Sequence, residues 1–309
     1  MKRNFFDYLI LVIKGMAMGA ADVVPGVSGG TIAFISGIYE ELISALNNIN
    51  LGTIKSLKSE GVVATWNKIN GNFLTALFLG ILLSILTLSK LVAYLLEEKP
   101  ILLWAFFFGL VLASIIFVLK KLERLNFAAL IGLLFGGIFA YQLTQLSALS
   151  NSESVLYLFF SGAIAICAMI LPGISGAFIL VILGSYANVL QALNNKEIDK
   201  ILIFVSGAIV GILSFSKLLK WLFKNYKNIT LAVLTGFMIG ALAKIWPWKK
   251  VLTYRVNSKG INVPLNEECI SPFSFDGDPQ FLAAIGLMLF GFFMIIILEK
   301  LGAKTTPIE

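Results

Sequence analysis

The chain has 309 residues, 58% hydrophobic and 13% charged, with a mean hydropathy of +0.91. No soluble domain of that length hides so much apolar surface, so lipid must cover much of it. The formal charge of +7 comes without a single histidine, which removes the commonest general base and metal ligand, and Cys167 and Cys269 show no metal-ligand spacing.

The first apolar run does not read as a cleaved signal peptide, because it carries Lys14 and Asp22 and leads into a structured motif. Segment 5–47 is two apolar legs separated by Pro25-Gly26-Val27-Ser28-Gly29-Gly30-Thr31. Proline removes a backbone donor and glycine frees the chain, so the sequence predicts a re-entrant hairpin that enters and leaves on one face. Asp7, Lys14 and Asp22 share one side of the first leg, and a charged stripe in a membrane leg must face a cavity or a partner. Lys14 is expected either to close the bundle as an ion pair or to join Asp22 as a proton- or cation-coupling group.

Spans are expected at 72–96, 101–119 and 127–146, each near the ~20 residues that cross a hydrocarbon core. Segment 155–193 repeats the hairpin around Pro172-Gly173-Ile174-Ser175-Gly176-Ala177, and further spans are expected at 201–223, 229–246 and 281–298. Loop 247–280 is preceded by Trp246 and opens on Pro247-Trp248-Lys249-Lys250, which reads as an interfacial belt beside basic residues. Attraction of outer-leaflet lipid phosphates is a secondary role for Lys244, Lys249 and Lys250. Glycine pairs at four-residue spacing, Gly15 with Gly19, Gly207 with Gly211 and Gly236 with Gly240, read as helix-packing seams.

The second half repeats the first. Gly15 to Asn48 aligns without gaps on Gly162 to Asn195, with 14 of 34 pairs identical, and both stretches end in Ala-Leu-Asn-Asn. With adjusted offsets, Gly80 falls on Gly207, Lys90 on Lys217 and Gly109 on Gly236, and Phe127 to Leu133 resembles Phe281 to Leu287. The repeats are therefore 1–147 and 148–309. Three crossings plus one hairpin is an odd count, so the second repeat must be inverted. Lysine and arginine then gather on one face, at Lys2 and Arg3, Lys55 to Lys68, Lys120 to Arg124 and Lys217 to Lys227, which places both termini in the cytoplasm. The expected fold is an all-α integral membrane protein of two inverted-topology repeats, the arrangement of many transporters.

Each tip would start a new helix at membrane depth, aiming unpaired N–H groups and a positive dipole end inward. With Pro25, Gly26, Ser28, Gly29, Gly30 and Thr31 at one tip and Pro172, Gly173, Ser175 and Gly176 at the other, this makes an anion nest; the bland reading is a kink packed against its twin. Lys90 and Lys217, at equivalent repeat positions, either snorkel or receive an anionic headgroup from opposite leaflets. No cofactor, metal or nucleic-acid partner is expected.

The stretches Gly19 to Thr31, Leu171 to Ala177 and Lys244 to Lys249 resemble the PopT family of bacterial polyprenyl-phosphate transporters, along essentially the whole chain. That resemblance implies transport of undecaprenyl phosphate from the outer to the inner leaflet of the cytoplasmic membrane, with Asp22, Ser28, Gly29, Gly30 and Thr31 at one tip site and Ser175 and Gly176 at the other. A phosphate headgroup needs a polar path while its isoprenoid tail stays in lipid. Two alternatives stand beside it. A small-anion carrier would need a path closed to lipid. A polyprenyl pyrophosphate phosphatase with similar tips would carry an arginine after the serine, where Gly29 and Gly176 stand here.

Overall fold

The computed structural model describes residues 3–24, 27–146, 154–256 and 262–303. Pro25 and Gly26, expected at the first tip, lie outside the described residues. Helix α1 (Phe5–Val23) opens on a capping box in which the side chains of Asp7 and Asn4 accept each other's backbone N–H, at 2.8 and 3.0 Å. The chain resumes after the break as α2 (Gly29–Ile35), turns at Gly37 with φ +74°, and continues as α3 (Tyr39–Asn47). Three rungs tie this returning leg to α1 and the residues just before it. Asp22 meets Gly29 at 2.7 Å, the Lys14 ammonium donates to the Ser36 carbonyl at 2.7 Å, and Arg3 grips Glu41 with two bonds of 2.6 Å. The hairpin therefore starts and ends at one level.

Two short helices, α4 (Leu51–Ser59) and α5 (Gly61–Lys68), fill the connection that the sequence shows only as a basic loop. Asn70 then bonds Glu41 at 2.7 Å, so α6 (Gly71–Glu98) starts beside the base of the hairpin. It is followed by α7 (Pro100–Lys121), α8 (Phe127–Gln145) and a second broken hairpin: α9 (Val155–Ile170), α10 (Gly176–Ile182) and α11 (Tyr186–Asn194). Helix α12 (Ile198–Ala241) is two legs joined at Tyr226, whose φ −138° and ψ 42° leave the helical region. Lys99, between α6 and α7, has φ −137° and ψ 48°, so the chain breaks identically at matched points of the two halves. The last helix is α13 (Phe281–Ala303).

Four helices among the described residues, α6, α7, α8 and α12, are long and apolar enough to cross a membrane; counting the pair α10–α11, bent by 108°, makes five. Leu134, Phe135 and Ile138 of α8 and Phe78, Leu82 and Leu86 of α6 are exposed apolar side chains that lipid would cover. The architecture is a helical membrane protein with one departure from the all-α expectation. Loop 247–280 contains an antiparallel ribbon of β1 (Lys249–Val256) and β2 (Asn262–Cys269), irregular between Val251 and Tyr254. Its β-branched and aromatic residues, Val251, Thr253, Tyr254 and Val256, favour a strand.

Lipid offers no hydrophobic drive between helices, so close backbone packing must hold them. All three glycine pairs serve it. A Cβ on Gly15 would collide with the Leu77 carbonyl, and one on Gly19 would lie 2.7 Å from that of Ile81. The contacts recur between the halves: Gly80 on Val12 matches Gly207 on Phe159, Gly15 on Leu77 matches Gly162 on Phe204, and Gly109 on Met288 matches Gly236 on Leu133. In the last helices the match sits one residue beyond the alignment of Phe127 with Phe281, because Gly136 meets Val233 as Gly291 meets Phe106. Backbone seams rather than the similar words fix that register.

Candidate functional site

The two hairpin tips meet. The Ser28 hydroxyl lies 2.9 Å from the Met169 carbonyl and 3.2 Å from that of Leu171, both in the opposite tip. In return the Gly173 N–H donates to the Thr31 hydroxyl oxygen at 2.9 Å. Gly30 packs on the Ile170 carbonyl, and Gly173, at φ +84°, lies against the backbone of Phe237 and Met238, where a side chain would clash. Ser28 and Thr31 are buried, as are Gly29 and Gly30, so this conformation is closed around the first tip.

The tips differ in how their backbone donors are met. At the first, Gly29 N–H donates to Asp22 at 2.7 Å, Gly30 N–H to the Ser28 hydroxyl oxygen at 3.1 Å and Thr31 N–H to the Ser28 carbonyl at 2.9 Å. An aspartate carboxylate thus fills the anion position that the sequence leaves open. At the second tip Met169 holds the place of Asp22, its Cβ 3.1 Å from where a Gly176 Cβ would stand, and a thioether is a poor acceptor. Ser175 accepts only a long 3.4 Å bond from Phe178 N–H. Among the described residues, the N–H groups of Gly176 and Ala177 and the hydroxyl proton of Ser175 meet no acceptor.

The remaining charged residues take separate duties. Asp7 caps α1, and Lys14 donates to a backbone carbonyl at the end of α2 rather than to a carboxylate. Lys90 and Lys217 are exposed on α6 and α12. Of the two belt tryptophans, Trp246 is half-buried and Trp248 is buried. Trp248 is 2% exposed, and its indole N–H donates to the Pro279 carbonyl as that of Trp246 does to Ile270, both at 2.9 Å, pinning the loop to the helix ends. Glu267 escaped the sequence reading. It ends up beneath two lysines.

Residues 18–263 match the family described as VCA0040-like, undecaprenyl phosphate translocase-like. The chain belongs to that family. A polyprenyl-phosphate transporter of Vibrio cholerae serotype O1 (strain ATCC 39315 / El Tor Inaba N16961) is 49% identical over 302 residues, covering 96% of this chain and 98% of its own. A polyprenyl-phosphate transporter of Staphylococcus aureus (strain NCTC 8325 / PS 47) is 31% identical over 257 residues, covering 77% and 86%. No solved structure matches. The translocase-like match runs from inside α1 into the β1–β2 ribbon and so takes in both tips.

Proposed function

We propose that this chain is a transporter, not an enzyme, which carries undecaprenyl phosphate or a related polyprenyl phosphate from the outer to the inner leaflet of the bacterial cytoplasmic membrane. The observation that carries the reading is the unequal pair of tips. One has its donors met by Asp22 and Ser28, while the other, among the described residues, presents Ser175, Gly176 and Ala177 without an acceptor. A phosphate monoester supplies the acceptors that the second tip lacks. The Ser28 hydroxyl points at backbone carbonyls rather than at a base that would activate it, which favours binding over hydrolysis. Both relatives above are named as polyprenyl-phosphate transporters.

In this reading the halves 1–147 and 148–309 are inverted repeats with both termini cytoplasmic, and the matched glycine seams support the pairing. Alternating access parts the two hairpins, breaking the Ser28 and Thr31 contacts between tips. The first tip, with Pro25, Gly26, Ser28, Gly29, Gly30 and Thr31, and the second, with Pro172, Gly173, Ser175 and Gly176, then enclose the headgroup. Asp22, released from Gly29, takes up the coupling proton or cation, and Lys14 fixes the hairpin it sits on. Lys90 and Lys217 receive headgroups on opposite leaflets. An open apolar groove of about 360 Å³, lined by Phe5, Leu9 and Val12 of α1, Leu79 of α6 and Trp66, suits an isoprenoid tail.

Proteoliposomes test the substrate. The purified chain should move a polyprenyl phosphate between leaflets, scored by headgroup accessibility, faster than protein-free vesicles. Uptake of inorganic phosphate with no lipid movement, with or without an ion gradient, would replace this reading by a small-anion carrier.

A further inference from the structure

Beyond the second tip stands a cationic cluster to which the tips assign no duty. Lys244 follows the second leg of α12, Lys249 opens β1, and Glu267 stands on β2. One carboxylate oxygen of Glu267 takes both ammonium groups, Lys244 at 2.9 Å and Lys249 at 3.5 Å. The three side chains are 15%, 6% and 17% exposed in the order Lys244, Lys249, Glu267, so the group is mostly withdrawn from water. Aromatic rings close other sides: Lys244 lies 5.2 Å from the Phe178 ring centre and Lys249 4.2 Å from that of Trp104. Glu268 faces Lys250 across the ribbon and is exposed, so it does not neutralise the pair. Two cations therefore share one anion.

A withdrawn cation without its own counter-charge is costly. Burial pushes Lys249 down to about 8 in spite of Glu267, as expected of an ammonium short of negative charge. Glu267 shows the converse. Burial alone would raise its carboxyl, but the two lysines outweigh it and hold it below its usual value. A phosphate monoester carries roughly −1.5 to −2 charge at neutral pH and three acceptor oxygens, so it matches two ammonium groups where a carboxylate matches one. Phe178 lies in the first turn of α10, three residues after Ser175, so an anion held here is about one helical turn from the open tip.

We propose that Lys244 and Lys249, walled by Trp104 and Phe178, form a receiving site for a phosphate monoester headgroup, and that Glu267 is a resident anion which the headgroup displaces. The site is the antechamber to the second tip, and this inference rests on the transport function proposed above. Lys244 and Lys249 hold the phosphate, the aromatic rings keep water from it, and Glu267 sets how readily it enters.

Farnesyl phosphate binding to the full chain in lipid nanodiscs tests the site, with inorganic phosphate as a second arm. Glu267→Gln removes the competitor and should tighten farnesyl phosphate binding about tenfold, while Lys244→Gln and Lys249→Gln should each weaken it about tenfold, a step of about 1.4 kcal/mol. Should Glu267→Gln prove unstable, the thermal midpoint gives the answer: farnesyl phosphate restores it if the phosphate replaces the carboxylate. Inorganic phosphate competing at millimolar concentration would make the site a reader of phosphate alone, and its failure to compete would make it a reader of lipid headgroups. Affinities within twofold of wild type in all three variants, with no thermal rescue of Glu267→Gln, would reduce the cluster to a structural ion pair. If wild type moves polyprenyl phosphate but the variants bind it normally, only this inference falls; if wild type moves none, the transport reading falls first.

Discussion

Ser28 and Ser175 occupy one motif position in two copies and yet do different things. Ser28 bolts the tips together, so Ser28→Ala should lower thermal stability by about 1–2 kcal/mol while leaving most farnesyl phosphate affinity. Ser175→Ala should do the reverse, weakening binding several-fold with little change in melting. Equal effects of the two on both readouts would contradict the asymmetry. The sequence shows both serines and both breaks plainly. It also shows Met169 opposite Asp22, but not that Asp22 would fold back onto Gly29, because that depends on the exit angle of the break. Lys249 makes a pH prediction. Its folded value of about 8 lies below the usual 10.5, so between these the unfolded chain binds more protons and stability rises with pH. Below about 8 the cost of the buried charge is present in full. Relative to Lys249→Met, the wild type should gain roughly 3 kcal/mol across that window, seen as thermal midpoints that converge as pH rises; a gap constant with pH would show that burial of the charge is not what depresses it.

At the scale of elements, the long helices were legible because an apolar run near the width of the bilayer has few other uses, and the glycine pairs because four-residue spacing puts small residues on one face. The seams make a direct contrast. Gly207 abuts the Phe159 carbonyl, whereas nothing lies within 4 Å of a Cβ built on Gly286. Gly207→Ala should destabilise the protein by about 1–3 kcal/mol, and Gly286→Ala should be neutral or slightly stabilising, both read from thermal melts in the same detergent. The ribbon β1–β2 and the helices α4 and α5 were not legible. Their periodicity is short and broken by charges, and the ribbon is held by indole bonds to Ile270 and Pro279 that no local pattern reveals. The belt reading does not hold for Trp248, which is buried, because tryptophan suits a membrane interface and a buried, hydrogen-bonded pin equally well.

For the molecule as a whole, the repeat was the most informative signal, since each seam in one half has its counterpart in the other. The inversion rests on lysine bias and can be tested by accessibility. Cys269 is exposed on the ribbon, so in a Cys167→Ser background an impermeant maleimide should label intact cells from outside; labelling only after permeabilisation would reverse the assigned orientation. What no repeat analysis provides is the state of the site, because the tip contacts join residues more than a hundred positions apart. The central claim is that a lipid phosphate passes between these tips, and its most direct test is transbilayer movement of a polyprenyl phosphate in proteoliposomes carrying wild type or the folded Ser28→Ala, Ser175→Ala double variant. Rapid movement with wild type and its loss in the double variant is the expected result; undiminished movement in the double variant would place the path elsewhere in the protein.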